Sequence, residues 1–219
     1  MKTTIVVPVM TMAHCVFLPQ QLLPLRIFEP RYQRMLKAAL ATNQMFAVSQ
    51  LDKSKSSKTK QEQPYPFTCV GRITGHVELD DGTHQIILEG LRRAKVYSIS
   101  HEGPYPLLEI SPVVDEDEAD SIAFTREIAR TLAFTEHLLS DAEEDVQPLL
   151  DRFRGLANKP GALADAVAGH LVAETDIRRE LLECLSPIKR ISKVAEVLSA
   201  LTAQKDLDDE IKPPNLGLN

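Results

Sequence analysis

The spacing of hydrophobic residues divides this chain into a strand-rich first half and a helical second half. Short apolar runs and period-two alternation predict strands in the first half. Glycines inside one of these runs are typical of bulges or bends where a sheet curls. The predicted strands cover residues 5–9, 46–51, 67–79, 84–89, 93–100 and 107–113. About six short strands with one helix among them indicate a small closed or half-closed β-barrel.

Apolar residues in the second half recur at spacings of three and four, which predicts a bundle of helices. These helices are predicted within residues 122–139, 146–156, 163–171, 176–185 and 187–203. An acidic run at residues 115–120 precedes the first of them, where carboxylates complement a helix dipole. The predicted fold is therefore α+β, mainly β in the N-terminal half and all-α in the C-terminal half. The barrel is assigned to residues 1–115, the bundle to 116–204 and a flexible tail to 205–219.

A proline-rich arm, FLPQQLLPLRIFEPRY at residues 17–32, is the most informative segment of the first half. Pro19 and Pro24 lack amide donors and bias the residues before them toward extended backbone. Pro30 suits the first position of a helix, and Glu29 lies just before it, where the helix dipole favours a carboxylate. The segment is predicted to be an extended arm that leads into a helix over residues 30–41.

Charge is distributed unevenly along the chain, whose net charge is −6. Residues 1–115 carry 13 Lys and Arg against 10 Asp and Glu, whereas residues 116–219 carry 12 against 21. This asymmetry supports a boundary near Asp115. No apolar run is long enough to cross a membrane, and the N-terminus lacks a signal-peptide cleavage site. We therefore expect a cytoplasmic location and no contact with membranes.

The segment DKSKSSKTKQEQ at residues 52–63 contains four lysines and no apolar residue. Because it cannot bury enough surface to offset its ordering entropy, it is predicted to be a flexible hairpin loop. A basic contact patch is the functional alternative.

The usual signatures of catalysis are missing from the sequence. There is no P-loop, no GxGxxG after a strand, no HExxH, no GxSxG and no zinc-type spacing of Cys and His. His14 and Cys15 are neighbours whose side chains would point to opposite faces of a strand. Three widely separated cysteines argue against a disulfide framework. We predict no catalytic residues, no metal and no cofactor.

Several segments resemble the N-terminal domain of the ATP-dependent protease Lon. They are PLRIFEPRY at residues 24–32, GRITGHVELDDGTHQIILEGLRRAKV at 71–96, PGALADAVAGHLV at 160–172 and ETDIRRELLECLSPIKRISKVAEVL at 174–198. The resemblance covers about residues 4–201. It implies a PUA-like pseudo-barrel followed by a helical bundle, in a region that helps the protease select protein substrates. The sequence stops at residue 219, before any ATPase module or Ser–Lys proteolytic domain, so unfolding and cleavage are not implied.

The leading hypothesis is a stand-alone, non-catalytic module that binds unfolded or peptide-like protein segments, in association with a protease or chaperone system or alone. Extended polypeptide would add to a sheet edge or rest in an apolar groove. The candidate contact residues are Leu23, Pro24, Leu25, Ile27, Phe28 and Tyr32. A PUA-like RNA-binding protein is the alternative, which acidity and scarce aromatic residues disfavour. An unrecognised hydrolase is a third possibility, which reaction of Cys15 or Cys184 with a thiol probe in the native protein would test. A structural ion network between arm and barrel is predicted for Glu29, Arg31, Arg92 and Arg93.

Overall fold

A computed structural model describes residues 3–116, 122–142 and 145–211 of the chain, with side chains described as far as Asp208. The described part of the first half folds into the elements β1 (Ile5–Met12), β2 (Leu22–Ile27), α1 (Pro30–Leu40), β3 (Met45–Gln50), α2 (Lys53–Thr59), β4 (Phe67–Glu78), β5 (His84–Ser100) and β6 (Leu107–Pro112). The described part of the second half contains α3 (Ile122–Leu139), α4 (Gln147–Gly155), α5 (Pro160–Leu171), α6 (Thr175–Glu183) and α7 (Pro187–Ile211). The predicted α+β organisation is confirmed. Most of the acidic run at residues 115–120 lies outside the described residues.

The six strands form one mixed sheet that closes into a barrel where β5 pairs with β6. Their order is β2-β5-β4-β3-β1-β6, and β5 pairs with β6 as well. The N-terminal part of β5 pairs with β2, and its C-terminal part pairs with β6. The register between β4 and β5 shifts at Gly71 and again at Gly75. These irregularities lie at the glycines that the sequence pattern marked as bulges. An extra residue in one strand bends that strand and increases its twist, which helps the sheet to curl.

The long strand β5 corrects one prediction, since residues 84–89 and 93–100 belong to a single strand and are not separated at Gly90. A Cβ atom added at Gly90 would lie 2.1 Å from the carbonyl oxygen of Leu18. Gly90 also donates to the carbonyl of Gln21 and accepts from the amide of Gln20. The glycine therefore marks a close approach of the arm to the middle of a strand. In the sequence pattern alone, a glycine at this position resembles a turn.

The segment at residues 52–63 corrects a second prediction, because most of it forms the helix α2 and not a loop. Asp52 caps this helix by accepting a hydrogen bond from the amide of Lys55 at 3.0 Å. The amide of Asp52 in turn donates to the carbonyl of Gln63, and Lys60 ends the helix with a φ of 57°. Local hydrogen bonds and a left-handed C-cap order the segment without apolar burial.

The helical half packs directly on the barrel. One continuous core contains Phe17 and Ile73 from the barrel together with Phe153, Val167 and Ile191 from the helices. The helix α5 is the central element, since Leu163 and the five residues that follow Leu163 are all buried. The helix α7 continues to Ile211 and includes the first part of the tail predicted as flexible; residues 212–219 lie outside the described residues.

Candidate functional site

The predicted contact residues lie on β2 and at the start of α1, but the fold gives them different exposures. Phe28 is 63% exposed and Pro24 is also exposed, whereas Leu23 and Leu25 are half-buried. Ile27 and Tyr32 are 2% and 4% exposed and belong to the core. The arm is thus partly core and partly surface, because its alternate side chains point to opposite sides of a strand. Ile27 and Tyr32 are available only as the floor of a groove.

An outer groove lies on the solvent side of the three strands β2, β5 and β4. Its volume is about 500 Å³, and its lining includes Pro24, Gly75, Val77 and Ile87. Val77 and Ile87 are 58% and 45% exposed. The pairing of Pro24 and Gly75 with Ile87 places these three residues in one row across the strands. Gly75 has no side chain to fill the row, and the result is an apolar depression on an outer sheet face.

A second groove, the gap groove, lies between β2 and the C-terminal part of β1, which are not paired with each other. Its volume is about 450 Å³, and its walls are residues 10–15 on one side and residues 25–29 on the other, with Tyr32 beneath them. The outer groove and the gap groove share Leu25 and Arg26. The strand β2 therefore separates two apolar depressions along one edge of the sheet.

Tyr32 closes the β1 side of the gap. Its hydroxyl accepts a hydrogen bond from the amide of Thr11 at 3.2 Å and lies 3.4 Å from the Thr11 carbonyl oxygen. Both backbone groups of Thr11 are thus occupied at the point where β1 has no strand partner on this side. A buried tyrosine needs a partner for its hydroxyl, and the free strand edge supplies one.

Glu29 and Arg31 form one part of the predicted charge network. Arg31 donates to Glu29 at 3.0 Å and to Glu62 at 2.9 Å, and its guanidinium lies 4.4 Å from the centre of the Tyr32 ring. Glu62 also accepts a hydrogen bond from the Thr11 hydroxyl. Glu62 lies in the segment after α2, so this segment and the arm meet beside the gap groove. The pairing of Arg31 with Glu62 could not be predicted from the sequence, because 31 residues separate them.

Arg93 belongs to a different network, which is buried between the barrel and the helices. It donates to both carboxylate oxygens of Asp165 at 2.6 and 2.7 Å and to Asp115 at 3.0 Å. Arg190, which is fully buried, donates to Asp115, and both arginines donate to the carbonyl oxygen of Cys184. The side chains of Arg93 and Asp165 are about 95% buried. The network joins β5, α5 and α7, and it is structural because its members are already paired with one another.

Arg92 is the exception in the predicted charge network. It is exposed and makes no ion pair with any residue in the described ranges. The prediction of one network is therefore wrong: the structure separates Glu29 and Arg31 from Arg93 and leaves Arg92 at the surface. Adjacent residues on a strand face opposite sides, so Arg92 and Arg93 could not share one buried cluster.

Burial shifts the pKa values of two side chains that could take part in acid–base or nucleophilic chemistry, Asp165 and Cys15. Burial raises the pKa of Asp165 to about 6, although Arg93 and Arg190 lower it. Burial also raises the pKa of the Cys15 thiol, which disfavours the reactive thiolate. His14 contacts Lys53 across 3.2 Å and does not pair with Cys15. Among the residues that the structure describes, no group of three or more His, Cys, Asp or Glu could hold a metal ion.

Comparison with known proteins identifies the family. Residues 6–200 match the sequence profile described as the ATP-dependent protease La (LON) substrate-binding domain. The chain belongs to this family. It is 25% identical over 214 residues to a Lon protease of Bacillus thuringiensis (strain Al Hakam) and 24% identical over 224 residues to Lon protease 1 of Myxococcus xanthus. The matches cover 94% and 96% of this chain, but only 26% and 27% of those proteases.

Solved structures agree with this assignment. The N-terminal domain of a Mycobacterium avium complex Lon protease superposes with a TM-score of 0.68 at 18% identity, over 89% of this chain and 98% of that domain. A Lon N-terminal domain protein from Xanthomonas campestris gives a TM-score of 0.63 at 20% identity, over 87% of this chain and 96% of that one. The predicted resemblance is confirmed for the fold. In the described ranges, none of the helices has the length and hydropathy of a transmembrane span.

Proposed function

We propose that this chain binds unfolded or extended segments of other proteins through the outer groove and the gap groove, and that it does so without catalysing a reaction. The family assignment supports a role in substrate binding, since the matched profile is that of a substrate-binding domain. The single observation that carries the location is the exposure of Phe28, Val77 and Ile87 around the edge strand β2. Exposed apolar groups concentrated at a groove mark interaction sites more often than scattered ones do.

The partner chemistry follows from the groove linings. The outer groove offers aliphatic side chains, and the gap groove adds Met10, Met12 and Phe28. Methionine adapts its shape to irregular partners, which suits a surface that accepts many sequences. We propose that the partners are apolar stretches that folded proteins bury, and that a protease or chaperone system consumes or refolds the proteins so captured.

The test uses a chain that has no stable fold, namely reduced and carboxymethylated α-lactalbumin labelled with fluorescein. Its Kd is measured by fluorescence anisotropy for Val77→Lys and for the matched control Val6→Lys. Val6 is 64% exposed on β1 and lines neither groove, so the two variants make the same exchange on an exposed strand position inside and outside the site. Losing the burial of one valine side chain costs about 1.5 kcal/mol, so Val77→Lys should weaken binding by about tenfold. Equal Kd values for the two variants would contradict this site.

Phe28 offers a second test of the same site, and Tyr32 does not. Phe28→Ser removes a side chain that is 63% exposed, so it should weaken binding of the same probe while the protein stays folded. Tyr32→Ala would instead open the core and the β1 edge, and its effect on binding could not be separated from unfolding.

RNA binding is a second candidate because α2 presents Lys53, Lys55 and Lys58 on a formed helix. The net charge of −6 opposes it. Salt-dependent retention on single-stranded RNA, lost on changing these lysines to glutamine, would support this candidate. Absence of retention at low salt would remove it.

A further inference from the structure

The edge strand β2 has backbone groups that no described residue satisfies. The carbonyl of Gln21 accepts from the amide of Gly90 on β5. Backbone amide and carbonyl groups alternate in direction along a strand. Those of residues 23, 25 and 27 therefore point toward β5. Those of residues 22, 24 and 26 point away from it. No hydrogen bond from a described residue reaches the outward groups. The free edge therefore presents three carbonyl oxygens, but only two amides, since Pro24 has none.

The two grooves lie on either side of this edge. Pro24 and Arg26 line the outer groove, whereas Ile27 and Phe28 line the gap groove, and Leu25 and Arg26 contribute to both. A strand that paired with β2 would place alternate side chains on opposite faces of the sheet. Residues opposite Pro24 and Arg26 would enter the outer groove, and residues opposite Leu25 and Ile27 would enter the gap groove.

The charges beside the edge indicate the chemistry of the partner. Arg26 is paired with Asp81 at 2.6 Å, and Glu29 is paired with Arg31 at 3.0 Å. The two Asp, Glu, Lys or Arg side chains that line the grooves, Arg26 and Glu29, are therefore each already in an ion pair. An uncharged partner segment complements such a surface, because a charged one would have to leave water without gaining an ion pair.

We propose that an uncharged, extended segment of a partner protein adds to the free edge of β2 as a further strand. Its backbone donates to the carbonyl oxygens of Leu22, Pro24 and Arg26, and its alternate apolar side chains fill the two grooves. Recognition then depends on an alternating pattern of backbone contacts and tolerates many side chains. This inference rests on the proposed function, and it specifies how the bound polypeptide is held.

The test is a backbone methylation scan. The tightest-binding eleven-residue segment of carboxymethylated α-lactalbumin is taken from a peptide array and resynthesised with one N-methyl group at each position in turn. Strand addition predicts two or three sensitive positions, each two residues from the next, where N-methylation weakens binding by tenfold or more. The positions between them should change Kd by less than about twofold, since their amides point away from β2.

The variant Pro24→Val supplies an independent measurement. It restores an outward amide on the edge, and one added hydrogen bond should tighten binding of the unmethylated peptide by about fivefold. Loss of affinity that is uniform along the scan, or no loss at all, would overturn strand addition. If Val77→Lys still weakened binding in that case, the proposed function would stand without this mode. Equal binding by Val77→Lys and Val6→Lys would instead remove the proposed site itself.

Discussion

Replacing Gly90 with alanine should destabilise the protein severely, although the position lies within a regular strand. The added Cβ would lie 2.1 Å from the Leu18 carbonyl oxygen and 3.0 Å from the Leu18 carbonyl carbon and the Pro19 Cα atom. All three contacts are backbone atoms, so no side chain can rotate away to make room. The arm must therefore move from β5 by about 1 Å or more to restore van der Waals contact.

The cost can be worked from the contacts that such a movement breaks. Gln20 and Gln21 each share a backbone hydrogen bond with Gly90, at 2.7 and 2.9 Å. Two lost hydrogen bonds cost about 1 kcal/mol each. Overpacking of the adjoining core, which contains Phe17 and Leu18, costs about 1–3 kcal/mol more. We expect the free energy of unfolding to fall by about 3–5 kcal/mol, which for a chain of this length lowers Tm by about 10 °C.

Urea denaturation followed by circular dichroism measures this loss, with Gly155→Ala as the matched control. Gly155 ends α4, and a Cβ added there would meet nothing within 4 Å. The control should unfold within about 0.5 kcal/mol of the original protein, since alanine suits a helix better than glycine does. If Gly90→Ala unfolded at the same urea concentration as Gly155→Ala, with an unchanged m value, the close approach of the arm to β5 would be refuted.

Three further predictions concern the groove, the strand edge and the buried network. Gly75→Ala adds a methyl group 3.5 Å from the Ile87 side chain, which is an ordinary van der Waals contact. The Tm should be nearly unchanged, while the outer groove becomes shallower and the Kd for the unfolded probe increases. A lowered Tm would contradict this prediction. Pro24→Val adds an amide donor to the exposed edge of β2. Because proline protects edge strands from pairing with one another, self-association of this variant should increase. Light scattering that shows a monomer at every concentration would argue against a protective role of Pro24. The raised pKa of Asp165 means that the folded protein binds a proton that the unfolded chain, with an aspartate pKa near 3.9, does not bind between about pH 4 and 6. The stabilisation that comes from this bound proton is therefore fully present below about pH 4 and is lost as the pH rises through about 6. Carbon-13 NMR of the Asp165 carboxyl group should give a pKa of about 6, and Arg190→Met should raise it further, because Arg190 opposes the effect of burial; a value below 4 would refute the assignment.

Much of the fold follows from local patterns in the sequence. The helix that begins at Pro30 was predictable because proline at the first position of a helix loses no hydrogen bond. The strands around Gly71 and Gly75, with bulges at the glycines, were predictable from alternation and composition. The segment at residues 52–63 was not, because its order comes from the Asp52 cap and from hydrogen bonds to Gln63, which propensity does not reveal.

Some properties of the candidate site could likewise be predicted from the sequence, and others could not. The apolar and extended character of the arm was determined by its own residues, since Pro19 and Pro24 already indicated extended backbone before them. The sequence could not determine which side chains are core, because Ile27 and Phe28 are equally apolar and only packing against the barrel buries one and exposes the other. It also could not pair Arg93 with Asp165, 72 residues away.

The sequence by itself determined the family and most of the elements, though not α2 or the continuity of β5, because local backbone preferences and hydrophobic periodicity act over a few residues. The tertiary structure alone decided that β5 closes on β6, that a gap separates β1 from β2, and that two apolar depressions meet at one strand edge. Burial and pairing arise between residues distant in the chain, and no local pattern encodes which distant neighbour each residue will meet.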